Sequence, residues 1–110
     1  MPYIIITSWY PTHKREEVIK KYIAVLKKYP QSKIPGKLIV PVAVATNRNG
    51  IVTMRIREVK TDDAQGFSDA LTMVGEQMAE FQEIEGFEYK TRIWSTITEA
   101  MAAVGREAPE

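Results

Sequence analysis

The run Ile4-Ile5-Ile6, inside the β-branched and aromatic stretch Tyr3 to Tyr10, constrains this chain more than any other feature. Successive side chains of a strand point to opposite faces, so Ile4 and Ile6 face one way and Ile5 the other. A strand that is apolar on both faces belongs in the middle of a sheet. The length of 110 residues, with 45% hydrophobic and 26% charged, supports one packed domain. We expect it to span residues 1–105, with a frayed tail over 106–110.

Pro11 ends this strand, and Thr12 is placed to cap a helix. From His13 to about Tyr29, Val18, Ile19, Tyr22, Ile23 and Leu26 recur at helical spacing. Two prolines and a glycine then break the pattern. Residues 37–47, KLIVPVAVATN, read as a strand. Pro41 cannot donate to a ladder, which puts that strand at a sheet edge. The NRNG turn predicts a hairpin in which Asn49 and Gly50 can take positive φ. Ile51 to Lys60 alternates, with Val52, Met54 and Ile56 on one side and Thr53, Arg55 and Arg57 on the other.

Asp62 or Asp63 starts a second helix, with a stripe of Phe67, Ala70, Leu71, Val74, Met78 and Phe81 and with Gly75 on the same side. Gly86 closes that region, and Phe87 to Trp94 alternates again. Thr96 and Glu99 match a capping box for a short last helix, with Ile97, Met101 and Val104 expected inward.

The order β-α-β-β-α-β, read with right-handed crossovers, predicts an α+β, ferredoxin-like fold with an antiparallel sheet of order 4-1-3-2. Both main helices then cover one face and leave the other open, with the short C-terminal helix added. On the open face we expect Tyr3, Ile5, Thr7 and Trp9, Thr53, Arg55 and Arg57, and Lys90, Arg92 and Trp94. An apolar, aromatic sheet face calls for a cover, here a second copy of the chain.

In element order and length the whole chain resembles the dimeric α+β barrel superfamily. The segment EGFEYKTRIWST, Glu85 to Thr96, is similar to that superfamily's fourth strand and terminal turn. The resemblance implies a homodimer through the open sheet faces, with a cavity between sheet and helices or between the sheets. Members include haem-degrading and quinone-forming monooxygenases, small isomerases and ligand-sensing domains of regulators. Its haem-holding members usually supply a histidine from the second helix and an asparagine from the first strand. Neither occurs here, so no cofactor is expected.

The residues narrow the chemistry further. With no cysteine, thiolate metal sites and cysteine nucleophiles are excluded. His13 is the only histidine, no His/Asp/Glu set has metal-ligand spacing, and no serine sits in a nucleophile elbow. The net charge of +1 gives no pull toward nucleic acid or membrane. The N-terminus has no signal-peptide pattern, which makes the cytoplasm the default location. The candidate ligand site is Trp9, Arg55, Arg57, Lys90, Arg92 and Trp94, suited to a planar or anionic small molecule. The plainer reading puts these charges at a dimer rim, paired with Glu58 or Glu88.

The expected function is therefore small-molecule binding in a homodimer, with cofactor-independent oxygenase or isomerase chemistry in view. A non-catalytic interaction or ligand-sensing module is the alternative.

The helices carry opposite charge: six Lys/Arg against two Glu over residues 12–28, and seven acids with no Lys or Arg over 62–85. His13, Lys14 and Arg15 at a helix start, where acids are preferred, are expected to pair with Glu80, Glu83 and Glu85.

Overall fold

The computed structural model describes residues 2–59 and 64–107. Strand β1 (Tyr3–Tyr10) leads through a 3-10 turn (Thr12–Lys14) into helix α1 (Arg15–Lys28). A second 3-10 turn (Gln31–Lys33) precedes β2 (Lys37–Asn47) and β3 (Gly50–Glu58). Helix α2 (Ala64–Ala79), a 3-10 turn (Glu80–Glu83), β4 (Glu88–Trp94) and α3 (Ile97–Ala103) complete the order. The expected start of α2 at Asp62 or Asp63 lies outside the described residues, as does part of the expected tail.

The four strands form one sheet of order β2-β3-β1-β4, with every neighbouring pair antiparallel. The doubly apolar β1 is central and the Pro41 strand is an edge, as their sequences require. This α+β layout is compatible with a ferredoxin-like fold. The β2–β3 register shifts on both sides of Val40, between Leu38 and Ala43, where Pro41 can give no ladder hydrogen bond. At the hairpin, Gly50 has φ +142°, and a Cβ there would sit 2.5 Å from the Tyr10 carbonyl oxygen. Asn49 keeps a negative φ, and its backbone N–H donates to Asn47 Oδ1 at 2.8 Å.

The core lies between one sheet face and the helices. Ile4, Ile6 and Tyr10 of β1 are buried with Val18 and Val25 of α1, Ala70, Val74 and Met78 of α2, and Phe81. Phe87 stacks on Phe81 with centroids 4.9 Å apart and on Tyr10 at 5.9 Å.

Several local expectations need correction. Thr12 makes no side-chain cap and lies inside a 3-10 turn, so α1 proper begins at Arg15 with Glu16 and Glu17 in its first turn. The dipole rule is thus obeyed where it first looked violated. The buried stripe of α1 is Val18 and Val25, while Ile19 and Ile23 are exposed. Gly75 faces open space, because the stripe passes through Val74 and Met78. The capping box at Thr96 and Glu99 is formed, yet Ile97 and Val104 of α3 are exposed, not inward.

The charge match between the helices exists with different partners. Lys28 Nζ lies 2.6 Å from Glu80 Oε1, and Lys21 Nζ lies 2.7 Å from Glu83 Oε2. Lys14 instead pairs within its own helix region with Glu17 at 3.3 Å. The 3-10 turn after α2 lies along the second half of α1, so Lys21 in mid-helix and Lys28 at its end reach the glutamates.

The hydrogen bond and charge of Lys28 hold the Glu80 carboxyl below its ordinary value of 4.5. Its stabilising contribution is complete above the unfolded value and is lost as pH falls through the lowered folded value. Because both groups sit at the surface, the effect on stability is small. NMR titration should find the Glu80 carboxyl titrating below 4.5 and returning toward it in Lys28→Met. An unchanged Glu80 titration in that variant would remove the ion pair from the account.

Candidate functional site

The register of β1 with its neighbours decides which strand residues meet. Thr7 is opposite Met54 and Lys90, Ile5 is opposite Ile56 and Arg92, and Tyr3 is opposite Trp94. Residues opposite one another share a face. Trp9, Lys90, Arg92 and Trp94 therefore come together on the open face around Ile5, Thr7 and Met54, as expected. Trp9 is 39% and Trp94 51% exposed.

Arg55 and Arg57 do not join them. Arg55 is opposite Ile6 and Arg57 is opposite Ile4, which puts both arginines and Thr53 on the helix side. The alternation of β3 is as expected, but its faces are reversed: Val52, Met54 and Ile56 lie on the open side. The six expected residues are thus divided, four on the open face and the two arginines on the helix side.

On the helix side a cavity of about 200 Å³ lies between the sheet and α1. Its floor is Ile6, Ser8 and Tyr10 of β1 with Thr53 and Arg55 of β3. Val18, Ile19 and Tyr22 of α1 form one wall, and Met78, Phe81 and Phe87 close the far side. Val42 and Val44 of the edge strand complete it. Ile19, Val42 and Val44 are the most exposed of these, so the mouth lies between α1 and β2.

This lining is mostly apolar with a few convergent polar groups, as in small-molecule sites generally. Ser8 Oγ and Thr53 Oγ1 are in hydrogen-bond contact on the floor. Arg55 lies over the Tyr22 ring, 5.6 Å from its centroid. Its Nε donates to the Pro41 carbonyl at 3.0 Å and its Nη1 to Gln77 Oε1 at 3.2 Å. Gln77, buried on α2, donates in turn to the Tyr29 carbonyl at 3.2 Å.

Arg57 is 2% exposed and does not reach the cavity. Its Nη1 donates to the Ile34 carbonyl at 3.1 Å, and its Nη2 donates to Gln31 Oε1. These bonds clamp the 31–35 connection onto β3. Its Nε is buried without an acceptor. Neither arginine pairs with a carboxylate among the described residues. Desolvation lowers the guanidinium pKa of both, and for Arg57 the charge of Arg55 adds to the effect.

Ser8, Thr53, Tyr22 and Gln77 are site residues that the sequence reading did not select. Gln77 left a visible trace: it is the polar member of an otherwise apolar α2 stripe. The Ser8–Thr53 pair becomes legible only with the β1–β3 register. Among the described residues no cluster of His, Cys, Asp or Glu could hold a metal ion, and no helix is long and apolar enough to cross a membrane.

No family model matches the sequence, and no curated protein matches it. Among solved structures, the de novo designed protein Foldit4 superposes with a TM-score of 0.54 at 14% identity, covering 87% of this chain and 99% of the design. A crystal structure of a "putative monooxygenase" from Shewanella loihica PV-4 gives a TM-score of 0.47 at 16% identity, covering 87% of this chain and 94% of that one. The likeness to the design is one of fold alone and says nothing about ligands.

Proposed function

We propose that this protein binds a small, planar, mostly apolar molecule in the cavity between its sheet and helix α1. It does so as a homodimer formed through the open sheet face. The observation that carries this reading is the cavity lining: apolar and aromatic walls around one guanidinium and one hydroxyl pair. Arg55, stacked on Tyr22, offers a flat cationic surface beside the aromatic rings. The open face supports the second half of the reading. It carries Trp9, Trp94, Met54 and Ile5 together, an apolar patch that a second copy would cover. Lys90 and Arg92 then belong with that interface, not with the ligand. If the bound molecule reacts with oxygen unaided, Arg55, Ser8 and Thr53 would hold and polarise it.

Methionine methyl NMR separates the two sites, because Met78 lines the cavity and Met54 lies on the open face. Titration with 2-naphthol, a planar two-ring probe, should shift the Met78 methyl resonance and leave Met54 in place. A shift confined to Met54, or no shift at either, would defeat the cavity assignment.

A further inference from the structure

Among the described residues, the helix side of the sheet holds two guanidiniums and no carboxylate paired with them. Arg55 and Arg57 stand two residues apart on β3, on one face, and among the described residues their hydrogen-bond acceptors are neutral: carbonyls of Pro41, Ile34 and Pro35 and the side chains of Gln77, Gln31 and Tyr22. Three acids of the adjacent elements are engaged elsewhere. Glu80 and Glu83 are drawn to the outer surface by Lys28 and Lys21, and Glu17 by Lys14. Burying a cation without an anion is costly, and two together repel. A single positive group in an apolar wall is ordinary. A pair with only neutral acceptors is a charge that the described residues leave unbalanced.

The two arginines differ in whether they reach the cavity. Arg57 is closed in by the 31–35 connection and does not reach the cavity. Arg55 lines it. Its Nε and Nη1 donate to Pro41 and Gln77, and the Tyr22 hydroxyl hydrogen-bonds the same guanidinium. These partners are all neutral and fix the plane of the fork, so a cation on the cavity floor is held in position before any ligand arrives. The Ser8–Thr53 hydroxyl pair lies on the same floor and can donate to an oxygen held by that guanidinium.

We infer that the cavity takes a planar monocarboxylate, its apolar body against Tyr22, Phe81 and Phe87 and its carboxylate received by Arg55. This rests on the cavity reading above and adds the charge class of the ligand. Arg57 contributes as a second positive charge behind Arg55 without touching the ligand. A carboxylate suits a mostly apolar cavity of about 200 Å³, because it needs only one polar end.

The test compares 2-naphthoate with its uncharged counterpart 2-naphthamide at pH 7, by calorimetry and by the Met78 methyl resonance. The naphthoate should bind about tenfold to a hundredfold more tightly, as charge-assisted hydrogen bonds do. Arg55→Met should abolish that preference while still binding the amide. Arg55→Lys should keep part of it, since lysine restores the charge without the fork. Equal affinity of wild-type protein for the two probes overturns the charge assignment and leaves the cavity reading standing. Failure of both probes to bind overturns both. The wild-type comparison needs no variant to fold, and a preference for naphthoate that survives in Arg55→Met also refutes the role of Arg55.

Discussion

Met54→Asp is expected to turn the proposed homodimer into a monomer. Met54 sits mid-strand on β3, on the open face opposite Thr7, with Ile5, Trp9 and Trp94 on the same face. In a twofold interface built on this patch the same residue enters from both copies, so one substitution buries two carboxylates. An uncompensated buried charge costs about 3–5 kcal/mol; Lys90 and Arg92 on the same face offset part of that, and a loss of about 3 kcal/mol weakens dimerisation roughly a hundredfold. The fold of the single chain should survive, because Met54 is 41% exposed within it. Light scattering and sedimentation across a concentration series would read the change, with Ala24→Asp on the exposed side of α1 as the control. A wild-type protein that is monomeric at all concentrations removes the homodimer. A Met54→Asp variant that remains dimeric moves the interface to the edge strands or the helices.

Ile4→Ala and Ile5→Ala should separate the two faces of β1. Ile4 is 1% exposed in the sheet–helix core, and its truncation leaves a cavity that neighbours cannot fill. The expected loss is about 2–5 kcal/mol at any protein concentration. Ile5 is only half-buried in the single chain and faces the proposed interface. Its truncation should cost less when the protein is dilute, and the cost should grow with concentration as the dimer forms. Urea unfolding at two concentrations distinguishes them. Equal, concentration-independent losses would mean that nothing covers the open face.

Much of this architecture was legible from residue pattern. The central place of β1 follows from isoleucines on both faces, and the edge place of β2 from Pro41. The capping box at Thr96 and Glu99 needs only local spacing. The candidate site was half legible. Trp9, Lys90, Arg92 and Trp94 share the open face because β1 and β4 alternate in one phase.

Arg55 and Arg57 were misplaced by the rule that charged residues face away from the core. That rule presumes the opposite face is wet. Here the opposite face is itself apolar, so hydrophobicity does not choose between the two phases of β3. The choice falls to the polar partners: carbonyls of the 31–35 connection and the Gln77 amide accept the guanidiniums on the helix side. Those acceptors lie about 20 residues from the arginines in sequence, and no local pattern joins them.

The interhelix ion pairs show the same division at the surface. Opposite net charges on α1 and α2 are a property of composition, and an attraction between the helices follows from it directly. Which lysines make the contacts depends on how the Glu80–Glu83 turn lies along α1, so Lys21 and Lys28 pair and His13, Lys14 and Arg15 do not reach across.

From its residues alone, this chain determines the number, type and order of its elements, because hydrophobic period, proline and capping chemistry act within a few residues. Strand pairing and helix placement decide which face of β3 meets the helices, and with it where the cavity lies and which arginine lines it. A period-2 pattern carries two equivalent phases, and only contacts between distant segments select one of them.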